Sequence, residues 1–107
     1  MPHLVVHHSD SVGVASLLSA LHQALSHHPT VDANAVKTRA LSFQKAYVGQ
    51  GADFFVHLEL RLLQGRSAEI LDAIKKTLVQ VCQSHLDPAV VLTMEIVLMD
   101  PVLYFKG

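Results

Sequence analysis

Phe54-Phe55-Val56-His57-Leu58-Glu59-Leu60-Arg61-Leu62 is the stretch on which the fold turns. Phe54, Val56, Leu58, Leu60 and Leu62 recur at every second position. Successive side chains of an extended chain point to opposite sides, so this alternation predicts a strand over 53–63 with one unbroken apolar face. Phe55, His57, Glu59 and Arg61 form the other face. Its opposed charges fit either solvent or the interior of an oligomer, where they would have to be paired.

Downstream, Gly65-Arg66-Ser67 leads into a helix expected over 67–84. Ser67 is a good N-cap, and Glu69 in the first turn suits the positive end of the helix dipole. Ile70, Leu71, Ile74, Leu78 and Val81 make its apolar stripe. Asp87-Pro88 breaks the chain, residues 89–99 read as an apolar strand, and Val102–Phe105 reads as a short extended tail. Upstream, Gly49-Gln50-Gly51-Ala52 is a turn, and 36–48 alternates well enough for a long strand with Lys37 and Arg39 on one side. Val14, Leu17, Leu18, Leu21 and Leu25 predict a helix over 12–27, ended by His27-His28-Pro29. Ser9-Asp10-Ser11 offers its N-cap candidates, and residues 2–8 form a first strand with Pro2, Leu4 and Val6 on one face.

The order is strand, helix, strand, written twice at a period of about 50 residues. The 107 residues make one α/β (α+β) domain with pseudo-repeat halves near 1–50 and 51–107. Each unit should hold its strands parallel with a right-handed crossover. A four-stranded sheet with both helices on one face satisfies every apolar stripe and leaves the other face for subunit contact. Half of the residues are hydrophobic and only 16% are charged, which also points to an oligomer whose interface takes up apolar surface.

The net charge of −1 and the lack of a basic run argue against nucleic-acid and membrane-surface partners. No apolar run approaches the roughly 20 residues needed to span a bilayer. No basic segment precedes a long apolar one, and a single cysteine, Cys82, suits a reducing compartment; the expectation is a cytoplasmic protein. Eight histidines raise the question of metal, but neighbours such as His7-His8 point to opposite sides of a strand, and neither expected helix carries HxxxH or HExxH spacing. No metal site is expected.

Three segments carry a family resemblance: Met1-Pro2-His3-Leu4-Val5-Val6 with Ser9-Asp10; Val36-Lys37-Thr38-Arg39 through Phe55-Val56-His57-Leu58 to Gly65-Arg66-Ser67; and Met94-Glu95-Ile96 with Pro101, Leu103 and Phe105-Lys106. In order and spacing they resemble the 5-carboxymethyl-2-hydroxymuconate isomerase family of the tautomerase superfamily. The resemblance implies a trimer of tandem βαβ subunits, no cofactor, and isomerisation of an unsaturated 2-hydroxy di- or tricarboxylate in aromatic-acid catabolism. It also implies that Pro2, once the initiator methionine is removed, moves the proton while cationic side chains hold the carboxylates.

The chemistry suits those residues. A free amino-terminal proline is a rigid secondary amine, and an apolar pocket with nearby cations lowers its pKa, leaving a neutral general base near pH 7. If Met1 stays, that nitrogen is an amide and cannot act. Lys37 and Arg39 share one strand face and would grip a carboxylate; ordinary edge or interface charges are the alternative. The family pattern has arginine where this chain has Lys37, so a point charge replaces a fork. Arg66 would add charge before a helix N-terminus, unless it pairs with Glu69 or Asp72. His57, Glu59 and Arg61 read as a structural ion-pair row, Cys82 as a buried thiol, and Tyr47, Tyr104 and Phe105 as pocket wall or interface. The expected function is a cofactor-independent tautomerase acting on a small unsaturated 2-hydroxy/2-oxo carboxylate. A non-catalytic carboxylate-binding trimer is the alternative, and a histidine-rich metal protein the third reading.

Overall fold

The computed structural model describes residues 1–9, 13–51 and 54–107. Its elements are β1 (His3–Ser9), α1 (Ala15–Ser26), β2 (Lys37–Phe43), β3 (Phe55–Leu63), α2 (Ala68–His85) and β4 (Val91–Met99). Short 3-10 turns at Ala33–Ala35 and Pro101–Leu103 precede β2 and follow β4. The sheet order is β2-β1-β3-β4. β1 and β2 run parallel, as do β3 and β4, and β1 meets β3 antiparallel. Two βαβ units are thus joined along a central seam.

The seam supplies the sheet side of the core. Leu4 and Val6 from β1, with Val56, Leu58, Leu60 and Leu62 from β3, are all fully buried. Leu17, Leu21 and Leu25 of α1 and Ile74, Leu78 and Cys82 of α2 close over the same cluster, at the spacing that puts one helix face down. Burying each leucine stabilises the fold by about 1.5–3 kcal/mol. Both helices therefore cover one face of the sheet, and the other face is open.

Side chains across the open face follow from register. His3 lies between Lys37 on β2 and Arg61 on β3. Val5 lies between Arg39 and Glu59, and His7 between Leu41 and His57. Glu95 and Thr93 of β4 extend the last two rows.

Three boundaries differ from expectation. β2 ends at Phe43 although the alternation continues to residue 48. It is an edge strand paired with β1 as far as the Ser9–Phe43 pair, and the chain bends at residues 44–45 directly after it. α1 begins at Ala15 with Val14 at its N-cap and no side-chain cap. Ser9 caps nothing; its hydroxyl bonds the N–H and carbonyl of Phe55 at 3.0 and 3.3 Å, fastening β1 to β3. The other two candidates, Asp10 and Ser11, lie outside the described residues. The expected extended tail is instead the Pro101–Leu103 turn, where the Asp100 carboxylate accepts from the Val102 N–H at 2.9 Å. Aspartate followed by proline is the signal for such a start. α2 matches its reading: Ser67 Oγ accepts from the Ile70 N–H at 3.3 Å.

Candidate active site

Pro2 precedes β1, its side chain fully buried. The parallel pairing of β1 with β2 continues one residue beyond the strand, so the Lys37 N–H donates to the Pro2 carbonyl at 3.0 Å. The same register places Lys37 beside His3 and Arg39 beside Val5, both on the open face. The Lys37 ammonium donates to the Ala35 carbonyl at 3.1 Å, and the terminal nitrogen of Met1 reaches the same oxygen at 3.4 Å. Two cationic nitrogens therefore converge on one acceptor beside Pro2. Burial lowers the pKa of that terminal nitrogen, and the charges of Lys37, Lys106 and Arg66 lower it further, against the opposing effect of Asp32.

Arg66 follows Gly65, whose φ of +131° side-chain-bearing residues rarely adopt. That bend aims Arg66 at the loop before β2. Its Nε donates to Thr30 Oγ1 at 3.2 Å and one terminal nitrogen to the Thr30 carbonyl at 2.8 Å. Pairing with Glu69 or Asp72 is not what forms; Asp72 is engaged by Lys75 at 3.0 Å and Lys76 at 2.8 Å.

Arg39 reaches the site through His3. Its terminal nitrogen lies 3.2 Å from His3 Nδ1, and His3 Nε2 lies 3.1 Å from the Tyr104 hydroxyl. Burial lowers the His3 pKa, followed by the charges of Arg39, Lys37, the amino terminus and Arg61. The sequence reading named Pro2, Lys37, Arg39 and Arg66, and all four lie at this end of the sheet or act on it. Tyr104 enters that reading only as pocket wall or interface, and His3 and Lys106, which the fold brings to the same end, have no role in it. Their segments carried the resemblance, yet only the folded register brings residue 104 beside residue 3.

The remaining groups fall elsewhere. Glu59 accepts from Arg61 at 2.7 Å, which holds its carboxyl below the ordinary range, and His57 bridges Thr93 and Glu95 at 2.7 Å each. Of the row read from the sequence, Glu59 and Arg61 pair with each other, while His57 turns to β4 instead. Cys82 is buried, and burial pushes its thiol up to about 11, so it is inert near neutral pH. Tyr47, 97% exposed, lies past the end of β2 remote from Lys37 and is no pocket wall in this protomer. Among the described residues no group of three or more His, Cys, Asp or Glu could hold a metal ion, and no helix is long and apolar enough to cross a membrane.

Two βαβ units fused across one sheet, with a proline at the head of the first strand, make this a protein of the tautomerase fold. Solved structures of that fold superpose over nearly the whole chain. A sequence profile of the 5-carboxymethyl-2-hydroxymuconate isomerases matches residues 2–107, and the chain belongs to that family. It is similar to a 5-carboxymethyl-2-hydroxymuconate isomerase from Deinococcus radiodurans R1, with 23% identity over 99% of this chain and 88% of that one and a TM-score of 0.88. A 5-carboxymethyl-2-hydroxymuconate delta-isomerase superposes with a TM-score of 0.83 at 20% identity, over 100% of this chain and 87% of that one. A fused 4-OT, described as a symmetric trimer, gives 0.75 at 14% identity, covering 98% and 93%. No curated protein matches the sequence.

Proposed function

We propose that this isomerase-family protein is a cofactor-independent tautomerase that moves a proton within a small unsaturated 2-hydroxy/2-oxo carboxylate of the 5-carboxymethyl-2-hydroxymuconate kind. Pro2, freed of Met1, is the base that takes the proton from one position and returns it at another. The observation that carries this reading is the placement of Pro2, its ring fully buried and its carbonyl held by the Lys37 N–H at 3.0 Å, with the Lys37 ammonium 3.1 Å from the neighbouring Ala35 carbonyl. Burial first, then Lys37 and Lys106, already lower the pKa of the Met1 amine one residue upstream, against Asp32. An amine so placed is neutral at lower pH than an ordinary α-amino group, near 7.7–8.0. Lys37, Arg39 and Arg66 neutralise the substrate carboxylates. Lys37 and Arg66 already rest on backbone carbonyls and Arg39 on His3, which holds their side chains in place before a ligand arrives.

The working assembly in this reading is a cytoplasmic homotrimer in aromatic-acid catabolism. Val102, Leu103 and Phe105, each at least 85% exposed in the protomer, give a neighbouring copy apolar surface to cover.

The test is ketonisation of phenylenolpyruvate or a simple 2-hydroxydienoate by protein whose intact mass shows that Met1 is gone. Activity is expected in that form and is expected to vanish when Met1 is retained. Equal turnover by both forms would remove Pro2 from the mechanism. A second reading is a carboxylate-binding trimer without turnover, which keeps the cationic side chains but lacks a free Pro2 amine. An uncleaved methionine in protein made at native levels would select it.

A further inference from the structure

Tyr104 belongs to no ion pair and to no part of the core, yet it sits against the candidate site. It follows the Pro101–Leu103 turn, 101 residues after His3 in the chain. The two rings meet edge-on, with centroids 6.0 Å apart and planes at 74°.

Hydrogen-bond chemistry assigns direction to this contact. A guanidinium can only donate, so His3 Nδ1, 3.2 Å from Arg39, must accept and carry no proton. The proton of a neutral His3 is then on Nε2, which donates to the Tyr104 oxygen 3.1 Å away. Protonation of Nδ1 would put a proton against the Arg39 guanidinium, and the surrounding charges of Arg39, Lys37, Arg61 and the amino terminus oppose it. With its oxygen already accepting, the Tyr104 hydroxyl has its own proton to give, and among the described residues it has no acceptor. Donation therefore runs one way, from Arg39 to His3 to Tyr104, and each bond polarises the next. The last donor in that chain is neutral, half-buried and bonded to the residue that follows Pro2.

We propose that the Tyr104 hydroxyl, held in place by His3 and Arg39, donates to the enolate oxygen of the bound 2-hydroxy/2-oxo acid; this rests on the tautomerase reading above. A neutral hydroxyl binds an uncharged carbonyl or enol weakly and an oxyanion strongly, so its effect falls on the step in which charge develops. Tyr104 is then a catalytic residue and His3 a positioning residue. A mere latch that ties the C-terminal segment to β1 would use the same contact without touching turnover.

Kinetics of the processed protein with phenylenolpyruvate separate the two. Tyr104→Phe is expected to lower kcat about a hundredfold with KM changed by less than about threefold. His3→Leu should fall to the same level, while His3→Gln, whose amide can accept from Arg39 and donate to Tyr104, should recover most of the rate. A kcat for Tyr104→Phe within about twofold of the parent, or a raised KM at unchanged kcat, overturns the proposal. A second measurement needs no turnover and serves equally if Tyr104→Phe does not fold. The chain has two tyrosines, and Tyr47 is 97% exposed at the far end of β2, so Tyr47→Phe leaves Tyr104 as the one phenol seen in the near ultraviolet. Oxalate, a planar dianion resembling the enolate of a 2-oxo acid, is expected to shift that band. An unmoved band at millimolar oxalate overturns the contact. A shifted band in a protein that does not ketonise would instead sink the tautomerase reading and leave the donor standing.

Discussion

At the head of β1 the N–H of Lys37 bonds the Pro2 carbonyl at 3.0 Å; at the head of β3 the N–H of Val91 bonds the Phe54 carbonyl at 3.2 Å. In both halves the second strand begins by capturing the residue in front of the first. Near Pro2 the charges of Lys37, Lys106 and Arg66 act on the Met1 amine. Around Phe54 the matching corner is a hollow of about 300 Å³ lined by Phe54, Leu86, Ala89 and Val90 together with His85 and Asp87. One backbone device thus frames two corners of different character, one beside several cations and one mixed apolar and polar. The repeat of the fold did not repeat the chemistry, and a site must be argued from its own side chains.

The comparison breaks most visibly at the two residues themselves. In processed protein, Pro2→Ala is expected to cost about a thousandfold in the rate of ketonisation, while Phe54→Ala leaves turnover near that of the parent. A Phe54→Ala protein that folds but does not turn over would mean that both corners serve catalysis. The cores of the halves, by contrast, should behave alike. Leu4 and Leu58 are both fully buried in the shared cluster, so Leu4→Ala and Leu58→Ala should each cost about 2–5 kcal/mol in urea unfolding. Costs that differ beyond that range would show that one half carries the core.

The acid limb of kcat/KM sharpens the contrast in charge. Burial, and after it the cations of the β1 corner, lower the pKa of the Met1 amine; a Pro2 amine exposed in the same surroundings should stay neutral below the ordinary α-amino range of about 7.7–8.0. Lys37→Gln removes one of those charges and is expected to move the acid limb to higher pH. No movement would exclude Lys37 as a determinant of the base. The smallest effect concerns the helices. Ser67 caps α2, whereas α1 has no side-chain cap, so Ser67→Ala should lower thermal stability by about 1 kcal/mol.

What could be read in advance follows physical range. The alternation from Val56 to Leu62 and the stripes at Leu17, Leu21, Leu25 and at Ile74, Leu78 are local patterns, and they yielded both helices and the sheet they cover. Boundaries set by partners were harder. β2 ends at Phe43 in a bend at residues 44–45, and the alternation that runs on to residue 48 does not announce it. The site divides in the same way. Lys37 and Arg39 share a face by the two-residue repeat, so their alignment was legible. Tyr104 beside His3, Arg66 against Thr30 and Lys106 near the terminus depend on how distant segments close, and no spacing rule connects them.

Pro2 is anchored by its buried ring and by the Lys37 N–H, whereas the half-buried Met1 makes one long hydrogen bond, to the Ala35 carbonyl. Aminopeptidase trimming would therefore uncover a nitrogen in a socket that is already finished. Under the proposed mechanism the precursor should fold as the mature protein does and differ in being plugged, so that a housekeeping cut at the first peptide bond would switch the chemistry on.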